Sequence, residues 1–462
     1  MGRPTLPFLH AYFPVGRKCG SYFHYGSFVN YLFCFSEIYI RRFSGRGFKR
    51  VKNYYKGDEI DMAVSSFVVS KKVRKFAIIF IAFVAIFCCA AALKVFFTSD
   101  NHTNKIFGPL KMYTAPNSDP GPGALYGRAL RLQHSKSANG TMLATFEQYV
   151  NGTPSFPIFQ STDSGETWKQ ISSVTDQVNG WGMRWEPFLY ELPQAIGNMP
   201  AGTILCAGDS IPSDLSKTKI DLYKSMDHGK TWSFVSSTAT GGEAISTNGH
   251  TPIWEPFLMV ANNKLIAYYS DQRDPKFGQK IVHQTSTDGI NWGPVVDDVT
   301  SSLYIDRPGM PVVAQMGNGN YIMTYENCGS DNCEVSYKIG ADPENFGSVK
   351  GIGLLAKDGA TPSSSPYVVW LPTGGPNGTL AVSAYSNSSL FLNTQNGAPG
   401  TWTKIKPNAE IGYSRGLVPM SDGHTLFVIS GGPLGTNYSN SVTYGTVDLR
   451  GDISDGGAPS TK

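Results

Sequence analysis

An all-β fold, a six-bladed β-propeller preceded by a single N-terminal transmembrane helix, is what this sequence predicts. Three observations carry the expectation: a strand pair that recurs six times between residues 120 and 450, a turn motif that repeats in phase with it, and one uncharged run of bilayer length. The composition agrees. Of 462 residues only 16% are charged, whereas Gly (50), Tyr (23), Phe (26) and Trp (8) are abundant, as suits short strands joined by tight turns.

The recurring unit is a short apolar strand, a Gly or Asn turn and a second apolar strand. It reads YGRALRL then NGTMLATFE, RWEPFLY then AGTILCAGD, IWEPFLM then NNKLIAYYSD, DRPGMPVVA then GNYIMTYEN, SSPYVVW then NGTLAVSAY, and YSRGLVPM then DGHTLFVISG. Successive units start roughly 50 to 70 residues apart, the length of a four-stranded blade with its loops. The second repeat is the Asp-box. STDSGETW (Ser161 to Trp168) and SMDHGKTW (Ser225 to Trp232) share S-x-D-x-G-x-T-W, and STDGINW (Ser286 to Trp292) is one residue shorter. Asp and Gly make the turn and the terminal Trp is expected to pack between adjacent sheets, a structural role.

The apolar run Phe76 to Leu93 carries no charge and is flanked on its amino side by Lys71, Lys72, Arg74 and Lys75. By the positive-inside rule this gives a single-pass, type II membrane protein: a basic cytoplasmic segment 1–75, an anchor 76–97, a linker 98–119, the propeller 120–450 on the luminal or extracellular side, and a flexible tail 451–462. Sequons at Asn101, Asn139, Asn151, Asn377, Asn387 and Asn437 all follow the run. A start at Met62 would turn the same stretch into a secretory signal peptide and the protein into a secreted one. On either reading Cys328 and Cys333 meet an oxidising compartment and are close enough to form a disulfide. Most of the net charge of +4 sits before residue 76. The remainder has no basic stripe, so no nucleic-acid partner is expected. No phosphate-binding loop, HExxH helix or Cys–His cluster appears, so neither a cofactor nor a metal is expected. The catalytic unit is expected to be a monomer acting on a polysaccharide or other glycan.

In a propeller the first strand of every blade lines a central funnel. Aligning the six first strands on the residue preceding Pro, Ala or Gly places Arg128, Glu186, Glu255, Arg307, Ser365 and Arg415 at one level. WEPFL occurs twice, 69 residues apart, so Glu186 and Glu255 fall on neighbouring inner strands. Structural Glu–Arg pairs between blades would explain the charges too. Glycoside hydrolysis, however, needs one protonated and one ionised carboxyl group, and two adjacent glutamates supply them. By strand alternation, Trp185 and Trp254 are expected to point away from the funnel.

GMRWEPFLYELP, the second WEPFL with YYSDQRDPKFGQKIVHQTSTDGINW, and DRPGMPVV together resemble glycoside hydrolase family 93, the exo-1,5-α-L-arabinanases, within the sialidase-like Asp-box superfamily. The resemblance spans residues 120 to 450. It implies a six-bladed propeller, retaining chemistry and release of arabinobiose from the non-reducing end of linear arabinan. It implies Glu186 as nucleophile and Glu255 as acid/base, with Asp271, Arg273, Asp274, Tyr413 and Arg415 in the pocket, though Arg273 and Asp274 equally suit a structural loop pair. Arg128, Arg307 and Arg415 leave an exo-sialidase open as an alternative, because three arginines can clamp a carboxylate. A non-catalytic glycan-binding propeller is the other, and it has no need of two equivalent glutamates.

Overall fold

The computed structural model describes residues 104–435 and 439–450. The basic segment 1–75, the apolar run Phe76–Leu93, the tail 451–462 and the sequons at Asn101 and Asn437 lie outside the described residues. Among the described residues, no helix is long and apolar enough to cross a membrane.

Six four-stranded antiparallel sheets make up the described residues. A first strand, β1 (Leu110–Thr114), precedes blade 1, which is β2 (Ala124–Arg131), β3 (Met142–Gln148), β4 (Phe156–Ser161) and β5 (Lys169–Val174). Blade 2 is β6 (Met183–Glu191), β7 (Ile204–Ser210), β8 (Thr218–Ser225) and β9 (Ser233–Gly241). Blade 3 is β10 (Ile253–Ala261), β11 (Lys264–Asp271), β12 (Lys280–Ser286) and β13 (Val296–Val299). Blade 4 is β14 (Arg307–Gln315), β15 (Tyr321–Cys328), β16 (Glu334–Gly340) and β17 (Ile352–Gly353). Blade 5 is β18 (Tyr367–Leu371), β19 (Thr379–Ala384), β20 (Asn387–Asn393) and β21 (Thr403–Ile405), and blade 6 is β22 (Gly416–Pro419), β23 (Thr425–Ser430) and β24 (Ser441–Asp448). Each of the six strand pairs read from the sequence is the first and second strand of one blade.

Blade 6 takes its fourth strand from the other end of the propeller: β1 pairs with β24, Leu110 opposite Tyr444. The expected linker 98–119 therefore contains a blade strand, and the propeller begins at residue 110 rather than 120. The six-fold repeat concealed this, because β1 stands alone before the first complete strand pair. Closing the ring this way removes two exposed sheet edges.

The Asp-boxes occupy the β4–β5, β8–β9 and β12–β13 turns. In the first, the Ser161 hydroxyl accepts the Gly165 N–H at 2.9 Å, and Asp163 accepts the Thr167 N–H at 3.0 Å. Trp168 packs on Phe427 and Tyr444 of blade 6. The Trp232 indole donates to Ser172 of blade 1, and the Trp292 indole to Ser236 of blade 2. A fourth, divergent copy, NTQNGAPGTW, ends blade 5. There Asn393 replaces the motif serine, its Oδ1 accepting the Gly397 N–H at 2.9 Å, and Trp402 is fully buried. The Asn-for-Ser exchange and two added residues hid it from the pattern.

Candidate active site

Antiparallel blades alternate their connections between two ends. The Asp-box turns lie at one end, and the loops between blades, with the second-to-third-strand loops, lie at the other. A cavity of about 400 Å³ opens at this second end, lined by Trp185, Glu186, Trp254, Glu255, Gln279, Arg307, Glu326, the Cys328–Cys333 disulfide and Tyr413, among others. A cavity of about 450 Å³ opens at the Asp-box end and contains none of the predicted site residues.

The backbone that builds the site is a bulge repeated on the inner strands. In β6, Trp185 pairs with Asp209 and Phe188 with Ala207, so two residues face one on the partner strand. The same break separates Trp254 from Phe257, Gly309 from Val312, and Leu125 from Arg128. One residue at each bulge adopts positive φ: Tyr126 (56°), Glu186 (60°), Glu255 (61°) and Met310 (56°), with Ser365 (46°) and Ser414 (53°) at the corresponding places in blades 5 and 6. These conformations are costly for residues other than glycine and cluster at functional sites.

Here the sequence alignment needs correction. Glu186, Glu255 and Ser365 occupy the ring, but Tyr126, Met310 and Ser414 stand where Arg128, Arg307 and Arg415 were aligned, because the bulge shifts the register by one to three residues. It also breaks the strict alternation that would turn Trp185 and Trp254 outward. Both indoles line the pocket, with their rings 6.0 Å apart.

The ring is linked from blade to blade. The Glu255 N–H donates to Glu186 Oε2 at 2.6 Å, the Met310 N–H to Glu255 Oε2 at 2.6 Å, and the Ser414 N–H to Ser365 Oγ at 2.9 Å. Where the preceding ring residue is Tyr126 or Met310, a second-strand glutamate substitutes. Glu147 of β3 accepts the Glu186 N–H at 2.9 Å, and Glu326 of β15 accepts the Ser365 N–H at 2.6 Å. Sequence reasoning missed Glu147, Glu326 and Asp209. Their signal was present, since the second strands TFE, AGD and YEN each carry an acid at or next to their end.

Burial pushes all these carboxyls upward. Glu147 and Glu326 rise to about 7. Glu186 is raised well above the usual carboxylate range, by burial and then by Asp209, Glu255 and Glu147. Glu255 is raised by burial against the Ser270 hydroxyl, the Met310 N–H, Arg307 and Arg128. Five clustered carboxyls face two arginines, so the site retains protons at neutral pH.

The remaining predicted residues separate into two groups. Arg307 and Tyr413 line the pocket; Arg307 donates to Asn248, Gln272 and Gln279. Arg128 is buried, donating to the Ser414 carbonyl and hydroxyl at 2.6 Å each and lying over the Tyr126 ring. Arg415 is buried and donates to the backbone carbonyls of Ala384, Asn387, Ser388 and Ser389, a clamp on the β19–β20 turn. Asp271 and Arg273 form an ion pair that also engages Tyr269 and the Thr240 carbonyl, and Asp274 pairs with Lys280. None of these three lines the cavity. Three arginines therefore do not converge on one carboxylate-sized space: both terminal nitrogens of the Arg415 guanidinium are engaged by main chain.

No protein-family model matches the chain, and no curated protein does. Solved structures do. An α-L-arabinofuranosidase of Fusarium graminearum, in complex with an iminosugar inhibitor, is 43% identical over 76% of this chain and 100% of its own, with a TM-score of 0.73. An α-L-arabinanase of Penicillium chrysogenum, complexed with arabinobiose, is 45% identical over 75% of this chain and 99% of its own, with a TM-score of 0.72. The Fusarium enzyme is also described with arabinobiose as a family 93 α-L-arabinofuranosidase. The chain belongs to glycoside hydrolase family 93. A microbial sialidase at 11% identity and a TM-score of 0.51 shares the propeller fold alone. This family 93 chain is thus a glycoside hydrolase, and the paired glutamates lie in a pocket of saccharide size.

Proposed function

We propose that this protein is a retaining, exo-acting arabinanase that cleaves α-1,5-linked L-arabinan from the non-reducing end and releases arabinobiose. The single observation that carries the reading is the placement of Glu186 and Glu255 on adjacent bulged strands, joined through a backbone N–H at 2.6 Å and open to one cavity. The relatives of known structure, one an arabinanase and two structures holding arabinobiose, support the substrate class.

Glu186 attacks the anomeric carbon, and the leaving oxygen of the next residue takes a proton from Glu255. Burial raises both carboxyls and so keeps a proton on the pair, and at Glu255 the neighbouring Arg307 and Arg128 steady the anion left behind. In the second half-reaction Glu255 accepts a proton from water as that water attacks the arabinosyl–Glu186 ester. Trp185 and Trp254 supply apolar surface beside the reacting sugar. Arg307 and Tyr413 are the polar groups placed to meet hydroxyls.

The test is the product profile on debranched 1,5-arabinan, read by chromatography and mass, with methanol added as a competing acceptor. Arabinobiose together with methyl arabinobioside of retained configuration supports the reading. A ladder of oligomers, or products of inverted configuration, contradicts it.

We also propose that the enzyme is held in a membrane by residues 76–97 with the propeller on the luminal or extracellular side. The uncharged run, its flanking lysines and the exposed sequons Asn139 and Asn151 support this. Recovery of the protein in detergent extracts only, and a mass loss on enzymatic deglycosylation, are the expected results; full recovery in a carbonate wash contradicts the anchor.

A further inference from the structure

Behind the ring of bulged residues lies a second ring, contributed by the second strands. In register, Glu147 stands opposite Leu125, Asp209 opposite Trp185, Ser270 opposite Trp254 and Glu326 opposite Gly309, each one residue before its own blade's positive-φ residue. In blade 3 the member of this second ring is a hydroxyl: Ser270 Oγ donates to Glu255 Oε2. In blade 2 the same position, behind Glu186, holds Asp209.

Asp209 is fully buried, and among the described residues no N–H or O–H group reaches either of its oxygens. The register that sets Ser270 against the Glu255 carboxyl sets Asp209 against that of Glu186. Two ionised carboxylates so placed cannot hydrogen-bond, since each only accepts; one proton must lie between them. The charge settles where a donor is available. Glu186 Oε2 already accepts the Glu255 N–H at 2.6 Å, whereas Asp209 has no donor of its own. The ionisable groups that act most on Asp209 are Glu186 on β6, Glu255 on β10, Glu147 on β3 and Asp221 on β8, all acidic. Burial raises Asp209 well above the ordinary aspartate range while Glu186 lowers it, and Asp209 in turn raises Glu186, as two carboxyls sharing one proton must.

We propose that Asp209 is a positioning residue for the hydrolase reaction: a neutral carboxylic acid that donates its proton to Glu186, as Ser270 donates its hydroxyl to Glu255, and so keeps Glu186 ionised and aimed at the sugar. The inference rests on the nucleophile role given to Glu186 above. Each of the two glutamates then has one side-chain donor behind it from the second strand of its own blade. The donor differs because a carboxylic acid, unlike serine, can also withdraw its proton as pH rises.

The test uses the full chain with Asp209→Asn and Asp209→Ala. Asparagine retains an N–H donor, so it is expected to keep kcat within about 10-fold of wild type and to leave the acid limb of the pH profile in place. Alanine removes the donor; it is expected to lower kcat about 10- to 100-fold with KM little changed, and to move the acid limb to higher pH, because Glu186 then binds its proton more tightly. A filler of space only would lower the melting temperature without moving the limb, and would make the two variants alike; either result overturns the proposal. Infrared difference spectroscopy of wild type against Asp209→Asn reads the proton without any substrate. A carboxylic-acid C=O band lost in Asn is expected at neutral pH, and its absence from wild type overturns the proposal even if arabinan proves to be the wrong substrate.

Discussion

Blades 2 and 3 and blades 5 and 6 place a positive-φ residue at corresponding positions, yet only in the first pair does that residue carry an ionisable side chain that lines the cavity. At Glu186 and Glu255 the residue is a carboxylate, whereas at Ser365 and Ser414 it is a hydroxyl. In both halves the side chain of one blade holds the backbone N–H of the next, Glu186 to Glu255 and Ser365 to Ser414. The repeated device is therefore a link between blades, and the proposed catalytic pair stands where the residue that makes the link is also ionisable and open to the cavity.

Removing the ionisable group from the loaded half gives the largest effect. Glu186→Gln or Glu255→Gln should lower kcat by about 1,000-fold or more while the fold and the melting temperature are retained, because glutamine still accepts the next blade's N–H. Steady-state kinetics beside a thermal melt checks both. A smaller loss is expected at Gly309, which holds the place of Trp185 and Trp254 in blade 4. A Cβ there would stand 2.6 Å from Gln279 Nε2 and 3.0 Å from Glu255 Oε2. Gly309→Ala should therefore displace both groups, cutting kcat by about 10- to 100-fold with only a modest change in stability.

The substitutes that complete the ring, Glu147 and Glu326, make stability depend on pH. Each is lifted from 4.5 to about 7 when folded, so the protonated form is favoured in the native state. Their contribution is fully present below about 4.5 and lost as pH rises through about 7, a change on the order of 3 kcal/mol each. The melting temperature should fall across that window, and Glu147→Gln should flatten the fall. The smallest effect belongs to the unloaded half. Ser365→Ala leaves the Ser414 N–H without its acceptor, which should cost about 1 to 3 kcal/mol in denaturant melts and leave kcat within about two-fold.

The same contrast explains what the sequence disclosed. The six strand pairs and three Asp-boxes were legible because apolar alternation and turn residues repeat at blade spacing, and the doubled WEPFL marked the two glutamates at once. The bulge was not legible. It is a break in pairing between strands, and its positive-φ residue is Tyr, Glu, Met or Ser, with no glycine to announce it. Hence Arg128, Arg307 and Arg415 were aligned with the ring, and the tryptophans were turned outward. The second-strand acids escaped for a related reason: Glu147, Asp209 and Glu326 act through register with a neighbouring strand, which a single strand's pattern does not contain. The closing strand β1 pairs across more than 300 residues, a contact that local periodicity cannot report.

The central claim, that the two ring glutamates divide the work with Glu186 as nucleophile, is tested most directly by trapping. Enzyme incubated with a 2-deoxy-2-fluoro arabinobioside bearing an activated leaving group, then digested and sequenced by mass spectrometry, should carry the sugar on Glu186, with no label in Glu186→Gln. Label on Glu255, or an enzyme that turns over arabinan yet is never labelled, would contradict the account.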